Sequence, residues 1–597
     1  MEISACEPAG GCEVPGSPPW TQRGICRKSA TWSMPLPAAS HSQAHAGPWD
    51  TGTMLGLTMQ IREALPRFGT KLSHELEHRT RFWLLVLSVF YFAATCLRAS
   101  GRLFWYDELC TLYMCRLPDI RAIWAALEEA ADSNPPLFYL VTRSVHALIG
   151  EGHVATRLPA IAGFWLMCLT VFYFVRRRST VTAGFAALLF PLVTRAYEYA
   201  TEARSYGMAL GCAGGALLSY QSATGERRTK GALLTLALTL SAALLLHTYA
   251  VLLFIPLVTA ELHRSLSRRR LDLPVWLAIA AASPVVILYV TLFAGLKPFL
   301  ATTWAKPELT SVLYSYTFLL DPPFWPLLAA VILFSVHRPA GSAAPTPWRC
   351  FIPAHEVMAV FVFAALPVFG VLLAFAITKV YVYRYGLYAV IGASILIAVF
   401  VHSKTGPNNP RAVAPAMAFL LWFAVDFAWR EAHQIHNTGL VRVDQSQPLQ
   451  DRKSFLRAAG SPAPVVISDG RLAMELSHYS RPEVALRLYY LRDPAAALRY
   501  SASDVFERTY PILMKRFSLK LNVEEYPAFL ARHREFLVYG PYGSGMDWVI
   551  FKLKDDGVHL KLLGLDRIKK QVYFLFRATV PGASGGSMNP KRIEVFR

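Results

Sequence analysis

From residue 82 onward, apolar runs of about the length of a membrane span alternate with short basic loops. The first, FWLLVLSVFYFAATCL, covers Phe82–Leu97. Others follow at about 157–175, 180–196, 206–222, 231–247, 250–262, 274–294, 310–336, 357–378, 386–402 and 412–429. Each approaches the ~20 apolar residues that cross a hydrocarbon layer, so the pattern predicts a polytopic α-helical membrane protein of about eleven spans. Lys71, Arg79 and Arg81 precede the first run and place the N-terminus in the cytoplasm. Arg176–Arg178, Arg227 with Arg228 and Lys230, Arg264 with Arg268–Arg270, His337 with Arg338, and Lys404 with Arg411 fall in every second loop, as one cytoplasmic face requires.

The stretch PPLFYLVTRSVHALIG, Pro135–Gly150, decides the parity. As a full span it would carry Arg176–Arg178 to the external side, so it is expected to be a surface-lying or partly embedded helix within a long first external loop, 98–156. With that count the C-terminus lies outside. Residues 1–78 are rich in Pro, Gly, Ser and Ala near their start and hold no sustained period, which predicts a disordered extension; Met34, Met54 and Met59 are alternative starts. The membrane domain is expected over 79–430. From 431 to 579 the chain changes character: PVVIS (464–468), LRLYYL (486–491) and EFLVYG (535–540) resemble buried strands, and 503–517 and 523–534 resemble amphipathic helices. A small C-terminal extracytoplasmic α/β domain is predicted, with a flexible tail at 580–597.

Composition agrees with this reading. The chain is 54% hydrophobic and 17% charged, below the quarter usual in soluble domains, with a mean hydropathy of +0.33. Its net charge of +20 sits in the loop clusters and reflects topology, so nucleic acid is not an expected partner. Nine scattered cysteines without a CxxC pair suggest neither a zinc site nor a disulfide framework.

This topology gathers polar residues at the external ends of spans. Asp107 and Glu108 lie in RLFWYDELCTLY beside interface-favouring Trp105 and Tyr106. YEYATEARSYGMAL adds Glu202, Arg204 and Tyr206; HTYA adds His247 and Tyr249; KVYVYRYG adds Lys379, Arg384 and Tyr385; a further loop adds Lys297 and Lys306. Ionisable groups at membrane depth are functional candidates. Carboxylates facing arginines suit transfer from a lipid-linked phosphate donor: one group takes the acceptor proton and the guanidinium steadies the leaving phosphate.

WYDE, NPPLFYL, RLPAIAGF (157–164), YATEARSYGMAL, HTYA and YVYRY, in that order over roughly 80–430, resemble the polyprenyl-phosphate-dependent glycosyltransferases of the membrane GT-C superfamily, family 39 type, related to protein O-mannosyltransferases and the lipid A aminoarabinose transferase. The resemblance implies a bacterial inner-membrane enzyme with an external, inverting active site and a polyprenyl-phosphate sugar donor. It implies Asp107 as catalytic base, with Glu108 beside it orienting the acceptor. Arg204, Arg384, Lys379 and His247 would hold the donor phosphate, supported by Glu202, Tyr206, Tyr249, Tyr385, Pro135 and Pro136. The usual EARMY-like segment reads EARSY here, with Ser205 replacing Met. No DxD-like second acidic cluster accompanies Asp107, so no cofactor is expected, with a divalent metal as the alternative. The acceptor, whether glycan, lipid or protein, stays open. The competing class is a lipid or glycan flippase that breaks no bond.

Overall fold

The computed structural model describes residues 67–321, 326, 348, 351–405, 413–438, 449, 451–542, 547–568 and 571–581, all within one compact unit spanning Arg62–Arg597. The expectations for most of the N-terminal extension, for 322–350 apart from two residues, and for the tail beyond 581 lie outside them. Residues 67–78, expected to be disordered, are helical, because Leu72 and Leu76 recur at helical spacing and pack on the membrane core.

Among the described residues, five helices are long and apolar enough to cross a bilayer, or six when the pair Ala354–Ala364 and Leu366–Thr378, bent by 55°, counts as one. Two of them frame the region of interest: α1 (Thr80–Ser100) and α4 (His153–Arg176). Between these lie α2 (Tyr106–Cys115) and α3 (Leu137–Ile149), and α4 is followed, across the helix Val181–Leu189 and two 3-10 turns, by α5 (Tyr206–Thr224). At 13 residues α3 is shorter than a span. Several expected spans are also short: 180–196, 231–247 and 386–402 become helices Val181–Val193, Lys230–Leu246 and Ala389–Lys404. Of 310–336 only Thr310–Leu319 is described as regular helix.

Helices α4 and α5 cross at small residues. A Cβ on Gly207 would stand 2.2 Å from the Ala160 carbonyl oxygen, and one on Gly163 would stand 2.4 Å from the Met208 Cα. Glycine at both positions lets the two backbones touch, the usual route to close helix packing in lipid. That contact seats the N-terminus of α5, and the segment Glu202–Ser205 before it, against α4. Elsewhere Pro367 starts the second arm of the bent pair, which ends in a π turn over Ala374–Thr378. Lys379 then adopts a left-handed conformation, φ 56°, and turns the chain into the extended run that carries Arg384.

The last described membrane helix, Val413–Thr438, runs past the expected boundary at 431. Beyond it stands a six-stranded sheet of β1 (Val465–Ile467), β2 (Leu488–Arg492), β3 (Asn522–Glu525), β4 (Glu535–Pro541), β5 (His559–Ile568) and β6 (Gln571–Thr579), ordered β3-β2-β1-β4-β6-β5. The first four pair in parallel, with Val465 opposite Leu488 and Val466 opposite Val538; β6 and β5 close the edge as an antiparallel hairpin. Val465 and Ile467 point into one core and Val466 into another, so the central strands are buried on both faces and read as continuous apolar runs. The crossovers include α6 (Gly470–Tyr479) and α7 (Val505–Arg516). Two expectations change here. Residues 522–525 are a strand, and the helix begins only at Tyr526, where Pro527 suits its first turn. The β5–β6 hairpin was not foreseen, since β5 is largely exposed and lacks a clean apolar alternation.

The α/β domain and the first loop share a hydrophobic core. Leu109, Met114 and Leu127 pack with Met474, Leu513 and Phe517, and Glu129 accepts from Lys515 and Arg516 at 2.6 and 2.7 Å.

Candidate active site

The two adjacent carboxylates of α2 have different surroundings, since successive helix positions are turned by about 100°. Glu108 is wholly buried and its oxygens accept from Arg157 Nε at 2.7 Å, Arg157 Nη2 at 2.8 Å, the Ala203 amide at 2.7 Å and the Trp105 amide at 3.4 Å. Arg157, equally buried, donates its remaining hydrogens to the carbonyls of Ala99, Arg102 and Leu103. Burial pushes the Glu108 carboxyl up, but the Arg157 charge and its hydrogen bonds prevail and hold it below the ordinary carboxylate range. Every strong lone-pair direction of Glu108 is taken, and the residue does not line the cavity beside α2. It ties α1, α2, α4 and the Ala203 turn together.

Asp107 does line that cavity, which measures about 520 Å³, within the usual size of a small-ligand site. Its Oδ2 lies 3.3 Å from Arg384 Nη2. The Arg384 guanidinium stands 5.9 Å from the rings of both Trp105 and Tyr206, and its Nε is buried without a partner. Phe293, Leu296, Phe299 and Leu300 give its lining an apolar part, and the α/β domain contributes Arg471, Val505, Phe506 and Thr509.

Arg204 also reaches the cavity, but its charge is matched. It forms a two-pronged pair with Asp132 at 2.5 and 2.9 Å and donates to the Asp107 carbonyl at 3.1 Å. Burial raises the Asp132 carboxyl, yet Arg204 outweighs this and keeps it below the usual value. Two nitrogens of Arg204 are thus already taken by a carboxylate, while its Nε is buried without a partner. Beside it Asn134, Pro135 and Pro136 are buried at the start of α3, and Asn134 Oδ1 accepts from Ser205 at 3.5 Å.

His247 and Lys379, expected at the donor phosphate, do not line the cavity. His247 is buried, accepts from the Tyr249 amide at 3.2 Å, and packs among Tyr206, Tyr249, Tyr385 and Tyr388 without lining the cavity. Lys379 is exposed and folds back to the Phe375 carbonyl at 2.5 Å; Lys297 and Lys306 are exposed as well, and none of the three lines the cavity. Tyr249 and Tyr385 do line it, stacked with centroids 4.4 Å apart, and Tyr249 is held by Thr378 at 2.7 Å. Glu202 sits behind them. Burial lifts its carboxyl to about 7 against the pull of Arg102, whose Nη2 is 3.5 Å away. Among the described residues no group of three or more His, Cys, Asp or Glu side chains could hold a metal ion.

The residues not anticipated are Arg157, Asp132, Arg471 and Phe506. Arg157 carried a readable signal, a lone cation opening an apolar helix. Asp132 sits two residues before Asn134-Pro135-Pro136. Arg471 and Phe506 come from a separate domain, and no local pattern links them to Asp107.

No family model and no curated protein matches the chain. Solved structures do. ArnT from Cupriavidus metallidurans in the apo state superposes with a TM-score of 0.51 at 12% identity, covering 83% of this chain and 98% of that one. The same protein bound to undecaprenyl phosphate gives 0.49 over the same shares at 12% identity, and the Archaeoglobus fulgidus oligosaccharyltransferase gives 0.35 over 78% and 70%, also at 12%. At such identity the likeness to the apo ArnT structure is one of fold. It extends over nearly the whole of that chain.

Proposed function

We propose that this GT-C-fold membrane protein is a glycosyltransferase that moves a sugar from a polyprenyl-phosphate donor to an acceptor in the Asp107 cavity. The observation that carries the reading is the placement of Asp107 and Arg384 in contact at a cavity whose lining is apolar in part. The motif order and the shared fold with ArnT support it. The reaction side is extracytoplasmic, following the loop charges.

Asp107 takes the proton from an acceptor hydroxyl or amine as that atom attacks the anomeric carbon. The bond from this carbon to the phosphate oxygen breaks, the configuration inverts, and the lipid phosphate leaves with its new charge against Arg384. Arg384 suits this because its contact to Asp107 is a single one, whereas Arg204 is already paired twice with Asp132. Arg204 and Asp132 hold α2 from beneath. The apolar part of the lining takes the first isoprene units, and Arg471 with Phe506 borders the acceptor side.

Purified protein incubated with labelled polyprenyl-phosphate sugars tests the reading. Sugar transfer, or slow donor hydrolysis without acceptor, supports it. Lipid movement across a vesicle bilayer without cleavage of the sugar–phosphate bond replaces it with a flippase.

A further inference from the structure

We propose that the α/β domain positions the catalytic helix: Tyr479 of α6 sets the register of Asp107 by holding the backbone that enters α2. The inference rests on the Asp107 reading above. Helix α6 places His478 and Tyr479 side by side at its last turn, and they reach opposite ends of α2. The Phe104 amide donates to Tyr479 Oη at 2.6 Å, and Tyr113 Oη meets His478 Nδ1 at 3.1 Å. His153 Nε2 lies 3.4 Å from the same Tyr479 oxygen, so the anchor is itself tied to the first turn of α4.

The segment before α2 makes this contact consequential. Arg157 takes the carbonyls of Arg102 and Leu103, and Glu108 takes the Trp105 amide. The Phe104 amide is the group between them, and Phe104 is buried. A buried N–H needs an acceptor, and here the acceptor is supplied from more than 370 residues away in sequence, by another domain. Asp107 lies three residues beyond Phe104, and its distance to Arg384 is set by how that turn is held. Met474 packs in the same core as Leu109, so the α6 side of α2 is closed while Asp107 faces the cavity.

The test compares full-length wild type, Tyr479→Phe, and the control Tyr539→Phe, which removes a comparable bond, 2.9 Å to Asp566, inside the sheet and away from α2. Two quantities are read: amide hydrogen exchange of the peptide covering 104–108, and kcat separately from donor KM. Tyr479→Phe is expected to speed exchange there and lower kcat, each roughly tenfold, the effect of leaving one buried N–H without its acceptor. Donor KM stays within about twofold, since Arg384 is untouched. His478→Ala, which removes the second anchor, gives the same split with smaller amplitude and serves if Tyr479→Phe does not fold. Unchanged exchange in both anchor variants, or an equal loss in Tyr539→Phe, overturns the proposal. Selective loss of protection in a wild-type background that transfers no sugar keeps the anchor and removes the function it was meant to serve.

Discussion

Replacing Glu108 with Gln removes the charge that neutralises Arg157 while leaving the guanidinium where it is. Arg157 then keeps three carbonyl partners but loses its anion in a site from which both side chains are fully excluded from water. Removing one member of such a pair costs ~3–5 kcal/mol, a large part of the ~5–15 kcal/mol that holds a protein folded. Arg157→Met costs a similar amount and leaves the carbonyls of Ala99, Arg102 and Leu103 without donors as well. The double variant Glu108→Gln/Arg157→Met recovers part of the sum, by about 2–3 kcal/mol of coupling, because no unpaired charge remains. Acid adds a second test. The folded-state pKa of Glu108 lies below its unfolded value, so the stabilisation is present above about pH 4.3 and is lost as pH falls through the folded value. The assay is the fraction of monodisperse protein in detergent after heating, read alongside turnover per folded molecule. A Glu108→Gln protein as heat-resistant as wild type but without turnover would refute the reasoning and return Glu108 to the chemistry.

Two other outcomes follow from the same structure. Arg384→Gln should raise donor KM roughly 10–100-fold with the fold retained, as expected for losing charge-assisted hydrogen bonds to a phosphate; an unchanged KM in a donor titration places the phosphate elsewhere. Asp547 is buried in the α/β domain, and burial lifts its carboxyl to about 8. The unfolded chain ionises this group near pH 4 while the fold keeps it protonated, so stability falls by up to ~1.4 kcal/mol per pH unit between about 4 and 8. Asp547→Asn should therefore flatten that slope and raise the melting temperature at pH 8, as followed by scanning fluorimetry; a parallel pH profile contradicts it.

Much of the architecture was legible because its causes are local. Apolar length and loop charge marked most of the membrane helices, and continuous apolar runs marked β1, β2 and β4. The β5–β6 hairpin stayed hidden because exposed strands carry no burial pattern, and the ends of short helices such as Val181–Val193 were not legible because hydropathy does not report where a helix stops. The site divided along the same line. Asp107, Arg384, Tyr249 and Tyr385 were found as polar or aromatic residues at span ends, and the cavity unites them. The ion pairs of Glu108 and Arg204 were not legible, since their partners, Arg157 and Asp132, are 49 and 72 residues away in sequence. Adjacent carboxylates cannot be told apart by type. A single residue step along the helix, about 100° of rotation, separates a buried anchor from a group that faces the cavity.

The most direct test of the central claim is the single-turnover rate of sugar transfer by Asp107→Asn at saturating donor, with donor binding measured on the same preparation. Loss of the general base should slow transfer by about 10²–10⁴-fold while donor affinity stays near wild type, because Asn keeps the shape of the side chain and Arg384 remains in place. Transfer at the wild-type rate would contradict the assignment of Asp107, and with it the reading of this cavity as the place where the glycosidic bond is made.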